Sequence, residues 1–133
     1  RKKMKKIKSL IVVDPDDTFS EFLEELLMKM EENIYFQSYT DGLNFLEANL
    51  LSPDQDYVFI LHSYAGSFRS SQLIDEIQKI LGQSQGHKII ITSDDFVEAE
   101  AIEVFDKGGD YYLVKPINLN IFVALLKKLL REG

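Results

Sequence analysis

Four polar stretches in this chain each follow directly on an apolar run. Asp14, Pro15, Asp16 and Asp17 follow Leu10 to Val13. His62 and Ser63 follow Tyr57 to Leu61. Thr92, Ser93, Asp94 and Asp95 follow Ile89 to Ile91, and Lys115 follows Tyr111 to Val114. Carboxylates in such a place suit a hard cation, which takes oxygen ligands. A histidine exchanges a proton near neutral pH. A lysine pairs with a phosphate or a carboxylate. An apolar run that ends in a polar side chain is a buried strand delivering that side chain at its carboxyl end, where open α/β sheets bind their ligands. Asp14, His62, Thr92 and Lys115 are the four residues so delivered.

Strands and helices must alternate to bring them together, and the pattern does alternate. Lys8 to Val13 reads as a strand. Pro15 and Asp16 suit the first turn of a helix whose apolar residues Phe19, Phe22, Leu23, Leu26, Leu27 and Met30 recur at helical spacing. Ile34 to Tyr39 is a second strand, and Thr40 to Leu50 a turn and short helix. Tyr57 to Leu61 is the third strand. Ser70 to Leu81 puts Leu73, Ile74, Ile77 and Ile80 on one helical face. Lys88 to Thr92 is a fourth strand, with Ser93 to Phe96 as an acid-capped helix start. The fourth helix spans Phe96 to Lys107 and stops at Gly108 and Gly109. Tyr111 to Val114 is the fifth strand. Pro116 and Asn118 open a last helix with Ile121, Phe122, Leu125, Leu126 and Leu129 inward. Strands apolar on both faces imply a parallel sheet with helices on both sides, a doubly wound α/β three-layer sandwich. His87 falls in a loop with no partner in view and is assigned no role.

The chain has 133 residues, enough for one domain with a real core. No apolar run approaches membrane-spanning length, and Leu10 to Val13 is too short for a signal-peptide core, so a cytoplasmic location is expected. The first residue is Arg1, not Met, which suggests a fragment or processed chain. There is no cysteine, so disulfides, thiolate metal sites and cysteine nucleophiles are excluded. Arg1, Lys2, Lys3, Lys5, Lys6 and Lys8 hold six of the 15 basic residues; the remaining nine face 22 acidic ones. A body that acidic is a poor nucleic-acid binder, and no membrane contact is expected of it. The basic head reads as a solvated terminus.

Read in order, four landmarks resemble the receiver domain of the bacterial response-regulator (CheY-like) family. "LIVVD" resembles its first strand and acidic cluster, and "TDGLNFLEAN" its second-helix opening. "IIITSDD" resembles its fourth strand, ending in the switch threonine, here Thr92. "GGDYYLVKP" resembles its fifth-strand signature with its lysine, here Lys115. The resemblance covers about Lys8 to Leu130. It implies a flavodoxin-like fold of five parallel strands in the order 2-1-3-4-5, with residues 1–7 a basic extension and 8–133 a receiver-like domain. The family's chemistry is phosphoryl transfer onto an aspartate at the end of the third strand. Mg²⁺ is held by the acidic cluster, the lysine pairs with the phosphoryl group, the threonine closes on it, and an aromatic residue responds, here Tyr112.

The chain departs from that chemistry at two coupled places. The phosphoacceptor position is His62, chosen over Ser63 because it seats Leu73, Ile74 and Ile77 on the third-helix core and keeps the family's interval to Thr92. The second acid of the metal pair is Pro15, which has no side-chain oxygen. Asp14 and Asp16 remain as weak metal candidates, with Asp16 expected to cap a helix instead, so Mg²⁺ binding should be weak or absent and no other cofactor is expected. The resemblance therefore implies a pseudo-receiver: no enzyme, but a phosphorylation-independent interaction module in two-component signalling. Asp14, Thr92, Tyr112 and Lys115 would form the remnant pocket, with Lys115 expected to pair with Asp14. His62 is expected to fill the pocket with hydrogen bonds. Its phosphorylation and a pH-sensing role are the alternatives, and distances to Asp14 and Lys115 would decide the second. Partners are expected at the surface of the fourth helix, fifth strand and fifth helix, where an acidic and a basic helix face would pair in a homodimer. An active receiver with an unusual acceptor is one competing reading. A flavodoxin-like cofactor binder is another, disfavoured because "DPDD" after the first strand repels phosphate.

Overall fold

A computed structural model describes residues 8–30, 33–82 and 86–131. The basic extension 1–7 lies outside the described residues. In chain order the elements are β1 (Lys8–Val13), α1 (Asp17–Lys29), β2 (Ile34–Tyr39), α2 (Gly42–Ala48), β3 (Asp56–His62), β4 (Tyr64–Ala65), β5 (Phe68–Arg69), α3 (Ser70–Leu81), β6 (Lys88–Ser93), α4 (Glu98–Asp106), β7 (Tyr111–Val114) and α5 (Leu119–Arg131). Five strands form one parallel sheet in the order β2-β1-β3-β6-β7. This is the expected 2-1-3-4-5 order, with a two-residue antiparallel hairpin, β4 with β5, inserted between the third and fourth sheet strands.

Each central strand feeds two cores, because successive side chains point to opposite faces. Ile11, Val13, Phe59, Leu61, Ile89 and Ile91 face Phe45 of α2, Leu73, Ile74 and Ile77 of α3, and Val104 of α4. Leu10, Val12, Val58, Ile60 and Ile90 face Leu23 and Leu27 of α1, and Phe122, Leu126, Leu129 and Leu130 of α5. The doubly wound sandwich follows from that two-sided burial.

Local chemistry sets the helix ends and corrects several expectations. Pro15 and Asp16 precede α1 instead of forming its first turn. Asp16 is its N-cap, and its carboxylate accepts from the Thr18 N–H at 3.0 Å. Helix α4 begins at Glu98, not Phe96, and its N-cap Val97 has no side-chain capping bond, so Asp94 and Asp95 do not cap it. Gly108, at φ +106°, ends α4 in a conformation only glycine adopts at ease. Two residues assigned inward are exposed: Ile80 at 45% and Ile121 at 68%. Ile121 lies about 100° around the helix from Phe122 and leaves the buried stripe. Leu81 is buried where Ile80 was expected. His87 is not a free loop residue. It is buried, within 2.9 Å of Gln78 Oε1 on α3 and edge-on to Phe59.

Candidate functional site

Parallel register brings the strand ends level. Val13 pairs with Leu61, His62 with Thr92, and Thr92 with Leu113. The Lys115 N–H then donates to the Ser93 carbonyl at 2.7 Å. Asp14, His62, Thr92 and Lys115 thus share the carboxyl edge, and their side chains divide into two groups.

The first group is closed. Lys115 Nζ donates to Asp14 Oδ2 at 2.9 Å, with only 1% of the Asp14 side chain exposed. The other oxygen, Asp14 Oδ1, accepts from the Asp16 N–H at 2.8 Å. Lys115 Nζ also stands 4.7 Å above the Phe19 ring. Both Asp14 oxygens are therefore engaged, Asp16 caps α1, and Pro15 offers no ligand. This arrangement does not fit a magnesium ion as it stands. Among the described residues, no three histidine, cysteine or acidic side chains stand close enough to hold a metal. Thr92 is fully buried, and its hydroxyl has no hydrogen-bond partner among the described residues. An unmet buried hydroxyl costs roughly 1–3 kcal/mol.

The second group surrounds a cleft of about 530 Å³, lined by His62, Ser63, Arg69, Asp94, Glu100 and Glu103 among others. His62 does not reach Lys115 or Asp14. Its Nδ1 lies 3.1 Å from the Tyr64 carbonyl oxygen, and its Nε2 lies 3.6 Å from Asp94 Oδ1. Ser63 Oγ donates to Glu100 Oε1 at 3.1 Å. The same Glu100 oxygen accepts from the Tyr112 hydroxyl at 2.5 Å, a short charge-assisted bond. That hydroxyl accepts from the Val97 N–H at 3.3 Å, and the Tyr112 ring meets Phe96 edge-on. Burial, and then the bond to Glu100, push the Tyr112 phenol above its ordinary value, while hydrogen bonds with Ser93 and Val97 pull it down. Tyr111 faces the opposite core, against the α1 and α5 side chains.

Glu100 and the hairpin are not singled out by the sequence, and Asp94 reads there as part of an acid-capped helix start, not as the partner of His62. The signal for Glu100 was its position beside buried Ala101 and four residues before buried Val104, the margin of the inward stripe. The approach of Asp94 to His62 had no signal, since the direction of the chain beyond β6 follows no period.

No protein-family model matches the chain, and no curated protein matches it. Solved structures do. A two-component response regulator from Clostridium difficile superposes with a TM-score of 0.76 at 21% identity, over 96% of this chain and 98% of that one. The activated receiver domain of DrrB, a Thermotoga maritima protein, gives 0.75 at 19%, over 96% and 100%. The non-phosphorylated HemR receiver domain from Leptospira biflexa gives 0.76 at 19%, over 96% and 97%. The chain has the CheY-like receiver fold. It superposes on an activated and on a non-phosphorylated receiver domain about equally well.

Proposed function

We propose that this chain is a pseudo-receiver: a receiver-fold module of two-component signalling that acts in the cytoplasm through protein contacts, without phosphoryl transfer and without enzymatic activity of its own. One observation carries the reading. The family's nucleophile position holds His62, and the cation-binding position beside it is filled by an internal salt bridge. Lys115, which would pair with a phosphoryl group, already pairs with Asp14, and each Asp14 oxygen already accepts a hydrogen bond.

The contact surface belongs to α4, β7 and α5. Phe96, Ile102 and Phe105 are exposed at 66%, 54% and 51%, with Val114 and Ile121 also outward. Exposed apolar side chains grouped on neighbouring elements favour a protein partner, and a second copy of this chain is one such partner. Sedimentation at high concentration tests that version; a strict monomer removes it.

Intact mass after incubation with Mg²⁺ and acetyl phosphate tests the main reading, with a His62→Asp, Pro15→Asp double variant alongside. No phosphoryl adduct should form on the natural chain. An adduct on His62 or Ser63 would overturn the proposal in favour of an active receiver with an unusual acceptor.

A further inference from the structure

The histidine that replaces the nucleophile does not sit idle in the remnant pocket. It lines the acidic cleft, with Tyr64 and Asp94 as its neighbours. We infer that His62 and Asp94 form a proton-operated clamp between the β4–β5 hairpin and the loop from β6 to α4, and that this clamp sets how firmly the loop holds Tyr112.

The geometry distinguishes the protonation states of the ring. His62 Nδ1 lies 3.1 Å from the Tyr64 carbonyl oxygen and 3.4 Å from the Tyr64 nitrogen, while Nε2 lies 3.6 Å from Asp94 Oδ1. A neutral imidazole has one N–H. With the proton on Nδ1, the ring donates to the Tyr64 carbonyl, but the Nε2 lone pair confronts a carboxylate. With the proton on Nε2, the ring can donate toward Asp94 and Nδ1 accepts from the Tyr64 N–H at 3.4 Å, a long bond, while the Tyr64 carbonyl oxygen stays 3.1 Å from the same lone pair. The imidazolium alone donates in both directions. The gap of 3.6 Å is just longer than a hydrogen bond, and the Asp94 side chain is 75% exposed, so it can close that gap by rotation at little cost in packing. Protonation of His62 therefore draws the loop toward the hairpin.

The loop carries this pull to Tyr112. Ser93 Oγ bonds the Asp95 carbonyl at 2.7 Å and receives the Asp95 N–H at 3.3 Å. The Asp95 carbonyl oxygen lies 3.2 Å from the Tyr112 hydroxyl, and the Val97 N–H donates to that hydroxyl. Residues 93–97 thus act as one braced segment between His62 and Tyr112. The other charged groups facing the cleft are Arg69 of the hairpin, Asp95 of the loop, and Glu100 and Glu103 of α4. Arg69 stands 3.9 Å from Glu103. Asp14, at the end of the neighbouring strand, is held by Lys115.

The test is amide hydrogen exchange on the whole chain at about pH 5.5 and pH 8, corrected for intrinsic rates. Protection of the amides at Tyr64 and at residues 94–97 should rise at the lower pH by roughly two- to fivefold, the shift that an ion pair with one exposed partner supplies. Asp94→Asn, a surface change that leaves the fold intact, should abolish that rise, and His62→Gln should do the same. Equal protection of the natural chain at both pH values would overturn the clamp, as would an unchanged rise in Asp94→Asn. Neither result depends on whether the chain is phosphorylated.

Discussion

The carboxyl edge of the sheet has two halves built on opposite plans. On the α1 and α5 side, Asp14, Lys115 and Phe19 form a closed set: a carboxylate almost wholly buried, a lysine bound to it, and an aromatic ring over the lysine. On the α4 side, His62, Ser63, Asp94, Glu100 and Tyr112 line or border an open cleft and are joined by hydrogen bonds to exposed loop atoms. The first half is held shut by its own charges, while the second keeps bonds that can exchange. On the proposed pseudo-receiver reading, a chain without phosphoryl transfer would still keep a movable surface.

The largest expected effect lies in the closed half. Lys115→Ala would leave Asp14 buried beside no cation, and breaking a buried pair from one side costs about 3–5 kcal/mol. Urea denaturation should show that loss. Asp14→Asn combined with Lys115→Met should recover much of it, because no uncompensated charge then remains. If Lys115→Ala costs less than about 1 kcal/mol, the two halves are alike and the comparison fails.

An intermediate effect separates the two ends of α4. At its carboxyl end, His87 contacts Gln78, whose amide donates to the Lys107 carbonyl at 3.2 Å. Burial pushes the His87 imidazole below its ordinary value; the Asp110 charge opposes this and the Lys88 charge adds to it. The folded state thus favours neutral His87. Its contribution to stability is complete above the unfolded value, near pH 6.5, and is lost as pH falls through the lower folded value. His87→Phe should flatten stability against pH in that window. Acid therefore works against the buried His87 contact, whereas protonation of His62 tightens the loop before α4. An unchanged slope in His87→Phe would remove that opposition.

What could be read from the sequence follows the same division. The sheet and its helices were legible because β1, β3 and β6 are unbroken apolar runs and the helices carry apolar stripes at helical spacing. The Asp14–Lys115 bond was legible too, since strand ends that share an edge bring acid and base together without help from any loop. The open half was not. The β4–β5 hairpin has two residues per strand, too few for any period, and its turn depends on Gly66 at φ +67°. His62 was weighed against Asp14 and Lys115, whereas its carboxylate neighbour is Asp94, on a loop whose course is set by packing and not by pattern. The burial of His87 likewise arises from its approach to α3, which a lone histidine in a glycine-rich loop does not announce.

The smallest effect concerns the bond that ties α4 to β7. Glu100 accepts from both Ser63 and Tyr112, so Glu100→Gln weakens two bonds at a partly exposed place and should cost about 0.5–1.5 kcal/mol. A more specific sign is the ionisation of Tyr112, isolated by subtracting the ultraviolet titration of a Tyr112→Phe variant. Its phenol is held above the ordinary value first by burial and then by Glu100. Removing the carboxylate should move the midpoint down only part of the way, because burial remains. The raised folded value means that Tyr112 adds stability in full below pH of about 10, its unfolded value, and loses it as pH rises through the folded one; Glu100→Gln should bring that loss to lower pH. A midpoint that does not move would mean that Glu100 fills space beside Tyr112 without holding it, and the open half would then have no lock for the loop to work against.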